Sequence, residues 1–347
     1  MAYDNSQVNI HPLSGVEYQH KDCITVSRDE IPEIEELLQR VYNNKKADNL
    51  KLSERYYKLS NISEYYAGKA ARMENCSNYL AFAKIDNRYK VVRTVSCCVR
   101  LCPMCAYKRS LAVYRNVRKI YDYLISCNQH SKFLFITLTI ENVVAQQLQT
   151  ALDSLNRGFQ NIVRQKAFKK ITLGTLRAIE ITYNKSTGKY HPHIHILLHT
   201  TSELYAGRNY ITQQQLTDMW QSAANTDYRP IVDIRKFKRN TGRELAEVAK
   251  YSVKPSDYIN SPDSVIMTLD NVLHKRQLIT AAGTFREAKK ILKIKELEEH
   301  EDYSKYLNDL EAELIIYKWH FGEGQYKIAK ESLTKLIQIT GKLNKLN

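Results

Sequence analysis

Residues 189–200 read KYHPHIHILLHT and hold four of the chain's ten histidines: His191, His193, His195 and His199. All four occupy odd positions. In a β-strand, alternate side chains project to opposite faces. One face therefore carries the imidazoles, and the other carries Ile194, Ile196 and Leu198. Upstream, LRAIEITYN (176–184) and the turn formers KSTGK complete a β-hairpin pattern. With the turn centred between Ser186 and Thr187, Glu180 faces His193 and Ala178 faces His195, their Cβ atoms about 5 Å apart. Two imidazoles two residues apart and a cross-strand carboxylate can converge on one divalent cation. Such a mixed nitrogen and oxygen set suits Mn2+ or Mg2+ in phosphodiester chemistry and leaves positions open for substrate. A lone His-x-His pair is more often a pair of ordinary surface imidazoles. The matched carboxylate and the consistent apolar face are what strengthen it here. His191 and His199 read as neighbours of the site rather than ligands.

This strand lacks a nucleophile. ELAEVAKYSVK predicts a helix over Arg243–Lys254 that places Glu247 and Tyr251 four residues apart on one face, with Lys250 and Lys254 beside the tyrosine. A phenol with a pKa near 10 attacks a phosphodiester only when a cation activates the target. Neighbouring lysines can hold the phosphate and offset developing charge. A carboxylate one turn away can deprotonate water or a hydroxyl. The chain has 24 tyrosines, so a tyrosine on a helix by itself more often means packing. Its significance depends on the histidine strand.

The third cluster is made of cysteines. Cys97, Cys102 and Cys105 form C-x4-C-x2-C, with Cys76 upstream and Cys98 as a rival for Cys97. Cys102-Pro-Met-Cys105 is a compact chelating turn of the kind that holds structural Zn2+, and four thiolates leave no open catalytic position. Buried free cysteines are the plainer alternative. A redox pair of the thioredoxin type is disfavoured because no strand leads into the motif. Arg100, Lys108 and Arg109 lie close in sequence and are candidates for phosphate contact.

Around these clusters the pattern predicts an α+β fold: an antiparallel central sheet with helices, preceded by a helical N-terminal and zinc-containing segment. KFLFITLTIEN (132–142) reads as a strand with Thr137 and Thr139 on the face opposite Leu134, Ile136 and Leu138. VDIRKFK continues a further strand. Helices are predicted over 29–44, 49–62, 63–82, 110–127, 144–166 and 212–224, the last with Thr212 as N-cap. AELIIYKWHF (312–321) predicts a strand, and 326–343 a final helix. The expected division is an N-terminal tail and helix over 1–48, a helical cysteine-rich segment over 49–128, the catalytic domain over 129–290 and a C-terminal helical extension over 291–347.

Composition narrows the function class. The chain has 347 residues, a net charge of +15, 43% hydrophobic and 26% charged residues. Such an excess of positive charge favours a polyanionic partner, nucleic acid first. No apolar run approaches the roughly 20 residues of a membrane span, and MAYDNSQVNIHPLSG has no secretory layout. The expected location is the cytoplasm, where a reducing environment disfavours a disulfide framework for the seven cysteines.

FITLTIEN, YHPHIHILL and EVAKYSVK resemble, in order, the three motifs of plasmid rolling-circle replication initiators, a branch of the HUH endonucleases. YITQQQLTDMW, VDIRKFK and CVRLCPMCAYKRS are also similar to that family, with a fainter echo at IIYKWHFGEGQY. The likeness spans roughly residues 50–290. It implies an RRM-like or ferredoxin-like core. It implies His193 and His195 as the metal-binding pair, with Glu180 added by the register and by analogy with related nucleases. Tyr251 would attack DNA at the plasmid origin, leaving a 5′-phosphotyrosyl link and a free 3′-OH. Glu247 stands where the family activates water at termination. The family spacing favours Cys97 over Cys98 as the zinc ligand. Origin DNA, a host helicase and a DNA polymerase are the implied partners, and a homo-oligomer is compatible with the pattern. Tyr107 departs from the tryptophan usual after the last cysteine pair, and the first 45 and last 25 residues match little. Two other readings stand beside this one: a relaxase or transposase with the same chemistry, and a non-catalytic zinc-containing DNA-binding protein.

Overall fold

The structure, a computed structural model, describes residues 31–85, 87–200, 211–236, 242–250, 252–298 and 315–329, and the backbone of two short strands at 8–10 and 24–26. Tyr251, the remainder of the N-terminal tail and most of the predicted final helix lie outside the described residues. The chain divides into two compact units, Met1–Cys105 with Glu301–Asn347, and Ala106–His300. Among the described residues no helix is long and apolar enough to cross a membrane.

The first unit begins with the antiparallel pair β1 (Val8–Ile10) and β2 (Ile24–Val26). Helix α1 (Ile31–Leu37) passes through a π-helical turn into α2 (Asn43–Leu59), and α3 (Glu64–Asn75) follows. Strands β3 (Tyr79–Ile85) and β4 (Arg88–Thr94) pair with β10 (Ile315–His320) and β11 (Gln325–Ile328) in the antiparallel order β11-β10-β3-β4. Phe82 anchors the core edge-on to Tyr42 at 6.2 Å and to Tyr317 at 5.8 Å.

This unit corrects two expectations. The helix predicted over 63–82 ends at Asn75, and YLAFAKI is a strand. Leu80, Ala81 and Phe82 are all buried, and a short run buried on both faces has no period that separates helix from strand. In the segment expected to be a helical extension, Tyr326–Ile328 belongs to β11, because Gly324 at φ +65° turns the chain back onto β10.

The second unit continues α4 (Pro103–Cys127) into β5 (Lys132–Thr139), α5 (Leu148–Arg164), α6 (Lys166–Ile171) and the hairpin β6 (Thr172–Asn184) and β7 (Lys189–Thr200). Then come α7 (Gln213–Ala224), β8 (Val232–Lys236), α8 (Arg243–Val248), α9 (Pro255–Tyr258), α10 (Asp263–Leu273), β9 (Ile279–Gly283) and α11 (Thr284–Ile291). The five strands form an antiparallel sheet in the order β8-β5-β7-β6-β9. With two antiparallel sheets and helices, the chain is α+β.

Both faces of this sheet are buried. On one, Ile194, Ile196 and Leu198 are fully enclosed. Helix α5 packs on β7 on this side, and α7 packs on α5 where the Trp220 ring fills the space a side chain at Gly158 would take. The other face carries the histidines but is only partly polar. Phe133, Phe135, Leu176 and Leu197 lie on it and form a second core with Val113, Val117 and Ile120 of α4, Leu245 and Val248 of α8 and Phe285 of α11. His199 belongs to that core. It stacks on Phe133 at 4.7 Å and places Nδ1 2.9 Å from Thr284 Oγ1. Each such buried aliphatic or aromatic side chain stabilises the unit by roughly 1.5–3 kcal/mol. The polar end of this face begins where the apolar run stops, at Thr137, Ala178 and His195.

Candidate metal centres and the tyrosine segment

The hairpin turn spans Lys185–Gly188. The Asn184 side chain accepts from the Ser186 and Thr187 amides at 2.9 and 3.2 Å, and Gly188 takes φ +66°. This turn sets the register: Glu180 lies opposite His193 and Ala178 opposite His195, as the turn count predicts. On the other side of β7, Thr139 pairs with His193 and Thr137 with His195. Thr137, Thr139, Glu180, His193 and His195 therefore share one patch of one sheet face.

Within that patch the ligand atoms converge. Glu180 Oε2 lies 3.0 Å from His195 Nε2 and 3.3 Å from His193 Nε2. All three side chains are buried. The far side of each ring is fixed as well: His193 Nδ1 faces the His191 carbonyl at 3.2 Å, and His195 Nδ1 faces Thr137 Oγ1 at 3.1 Å. A carbonyl can only accept, so Nδ1 of His193 carries the proton, and Nε2 of a neutral ring then aims a lone pair at a carboxylate. Two acceptors face to face need a proton or a cation between them, and this set of two nitrogens and one oxygen fits a divalent cation. Burial alone would push the Glu180 carboxyl up. Where a proton takes the place of the cation between the rings and the carboxylate, hydrogen bonds from His193 and His195 outweigh burial and hold the group well below the ordinary carboxylate range. His191 stands apart, with Nδ1 2.7 Å from Asn142 Oδ1.

The segment around Tyr251 is attached to the same strand. Strand β9 leaves β6 at Ala178, which opens the edge of β6 beside Glu180. The Ile179 amide still donates to Leu278 O, and the Ile181 amide donates to Ser252 O at 2.7 Å. One rung on, the Tyr183 amide meets Asp257 Oδ2 at 3.3 Å. Buried amides need acceptors, and the residues after Tyr251 supply them. This arrangement overturns the predicted helix over Arg243–Lys254. Helix α8 stops at Val248, because the carbonyl of Ser252 is committed to the sheet edge and Lys254, preceding Pro255, is extended with ψ 133°. Leu245, Val248 and Ala249 root α8 in the second core, and the Ser110 hydroxyl donates to Ala249 O at 2.7 Å. Lys254 Nζ comes within 3.9 Å of Glu180 Oε1, and Lys250 pairs with Glu247.

The cysteine centre lies in the first unit. Cys76 Sγ is 3.6 Å from Cys105 Sγ and 3.7 Å from Cys102 Sγ, and Cys97 Sγ is 3.6 Å from Cys105 Sγ. A disulfide needs sulfurs about 2.05 Å apart, whereas a tetrahedral ion with 2.3 Å bonds to sulfur sets them about 3.8 Å apart. The spacing fits the ion. Cys98 is exposed and left-handed at φ +56°, outside the cluster. Burial raises the Cys97 and Cys102 thiols well above their ordinary range, whereas a hydrogen bond from Cys102 lowers Cys76, so ionisation of all four together requires a cation to receive it. Arg100 sits in the turn entering α4 and Lys108 and Arg109 on α4 itself, all three part-exposed.

Thr137, Ser252, Asp257 and Lys46, which is buried beside the cysteines, were not singled out as functional in the sequence. The alternation of β5 already placed Thr137 on the histidine face. The others contribute through carbonyl or tertiary contacts that leave no spacing signal.

The chain matches the Rep_1 family, described as replication protein, over residues 88–327. It is 31% identical over 309 residues to a "Protein rep" of Lactiplantibacillus plantarum, covering 83% of this chain and 95% of that protein. It is 31% identical over 265 residues to a "Protein rep" of Streptococcus pneumoniae, covering 75% and 82%, and 34% identical over 261 residues to one from a Bacillus species, covering 68% and 84%. No solved structure matches it. The chain belongs to the replication protein family, in agreement with the resemblance carried by its three motifs.

Proposed function

We propose that the protein initiates plasmid rolling-circle replication by nicking one strand of the origin. One arrangement carries this reading: Glu180, His193 and His195 converge on a common point, and the carbonyl next to Tyr251 is bound to the strand that bears Glu180. Glu180, His193 and His195 would hold Mn2+ or Mg2+. When bound, such a cation polarises the scissile phosphate. Lys254, already beside Glu180, and Lys250 offset the charge that develops on the phosphate oxygens.

Tyr251 is the nucleophile. Its hydroxyl oxygen bonds to phosphorus as the bond from phosphorus to the 3′ oxygen breaks. The phenol proton leaves to water and the 3′ oxygen takes one up, giving a 5′-phosphotyrosyl link and a free 3′-OH for a polymerase. At termination Glu247 takes a proton from a water whose oxygen bonds to the phosphorus of the regenerated origin as the bond to the 3′ oxygen breaks, and the 3′-OH so formed attacks the phosphotyrosyl link and releases Tyr251. Cys76, Cys97, Cys102 and Cys105 would hold a structural Zn2+. Arg100, Lys108 and Arg109 contact the DNA backbone. A host helicase and polymerase follow in the cytoplasm.

Covalent capture tests the chemistry. With Mn2+ and single-stranded origin DNA the protein forms an adduct stable to denaturant, and Tyr251→Phe forms none. An adduct that survives Tyr251→Phe sinks the nucleophile assignment.

A further inference from the structure

Lys46 lies on α2 with no exposed surface. Its ammonium donates to the backbone carbonyls of Glu74 at 2.9 Å and Cys76 at 2.8 Å. Among the described residues no carboxylate lies within ion-pair distance of it. The Glu74 carboxylate accepts instead from the Tyr57 hydroxyl at 3.0 Å. A buried lysine without an anionic partner is expensive and rare. Burial pushes the Lys46 ammonium down to about 8, and Cys76, Cys102 and Cys97, ahead of Glu74, act to raise it again.

Two neighbours on α2 show what an ordinary structural contact looks like here. Asn49 donates to Met73 O at 2.6 Å and accepts from Cys102 Sγ at 2.9 Å through Oδ1, and Ser53 donates to Ala70 O at 2.8 Å. Both are buried and neutral. Lys46, Asn49 and Ser53 thus form one polar stripe along the end of α3. Neutral donors suffice at two of its rungs. At the rung that reaches Cys76 the donor is a full charge. A cation there answers the net double negative charge that four thiolates leave around a divalent ion.

We infer that Lys46 is the resident countercharge of the four-cysteine metal centre, set there to offset its thiolates rather than only to cap α3. The inference rests on the reading of that centre as a Zn2+ site. It also places part of the site outside the family match, since Lys46 and Cys76 precede residue 88.

The test is zinc retention by the full-length protein, read as the rate of transfer to a coloured chelator. Far-UV circular dichroism confirms the fold. Lys46→Arg keeps charge and donors, Lys46→Gln keeps a donor without the charge, and Lys46→Met removes both. Lys46→Gln and Lys46→Met are expected to release zinc about tenfold faster or more, the scale of lost outer partners at metal sites, and Lys46→Arg to stay close to wild type. In chelator-treated protein Lys46→Met is expected to be at least as stable as wild type, because a buried charge has gone. Equal zinc release in all four proteins overturns the inference, as does wild-type retention by Lys46→Gln with loss only in Lys46→Met, which would make the hydrogen bond and not the charge decisive. A wild-type protein that binds no zinc overturns the reading of the centre itself, and is told apart by metal content before any variant is made.

Discussion

The two candidate metal centres are built on opposite principles. Glu180, His193 and His195 come from one hairpin, fifteen residues from first to last, and their meeting point is set by strand register. The cysteines come from the end of α3, a loop and the first turn of α4, and meet only because the first unit folds. The charges differ too. Two neutral imidazoles and one carboxylate around a divalent cation leave a net positive charge, which attracts a phosphodiester. Four thiolates around a similar ion leave a net negative charge, and the fold answers with a buried lysine instead of an open position. On the proposed reading, ligand choice separates a centre that meets a polyanion from one that holds the chain together.

The largest effects should break this contrast on the catalytic side. Glu180→Gln keeps the shape and removes the one anion of the hairpin centre. Nicking of origin DNA is expected to fall by about a thousandfold, the scale of losing a principal charge-stabilising group, with zinc content unchanged. Nicking within tenfold of wild type would remove Glu180 from the metal set. The mirror experiment is Cys105→Ser. It should lower stability by more than about 4 kcal/mol, because loss of a structural metal belongs to the exceptional class of mutational effects. Residual nicking per folded molecule should stay within a few-fold. A variant that melts like wild type would show the cysteines to be ordinary buried thiols.

The hairpin centre was legible in the sequence because its logic is local. Period-two alternation and a four-residue turn suffice to place Glu180 opposite His193. The cysteine set was legible from the Cys102–Cys105 turn, but Lys46 was not, since nothing in NNKKADNL distinguishes the buried lysine from Lys45 beside it, which is only part-buried. The helix predicted over Arg243–Lys254 stops short for a related reason. Its apolar spacing is helical up to Val248, and what ends it is an open rung on β6 created when β9 turns away. At the other end of that pairing Gly283 takes φ +57° opposite Gly174, where a side chain would come within 2.3 Å of Leu173 O. Contacts of this kind are decided between segments a hundred residues apart, and no window of sequence contains them. The same holds for the histidine face: Leu197 continues the odd positions of β7, and only α4 and α8 above it turn that end into core.

The smallest expected effect sharpens the comparison from inside the hairpin centre. An imidazole that binds a cation through Nε2 donates from Nδ1, and for His195 the acceptor is Thr137 Oγ1 at 3.1 Å. Such outer hydrogen bonds orient the ring and raise its basicity. Thr137→Val keeps volume and β-branching but leaves Nδ1–H without its partner at a buried position. The concentration of Mn2+ that half-saturates nicking should rise about 10- to 100-fold, while the rate at saturating metal changes by a few-fold at most. Thr137→Ser should restore the wild-type requirement. A loss of stability without a change in metal requirement would make Thr137 a packing residue, and the hairpin centre would then orient His195 through Glu180 alone.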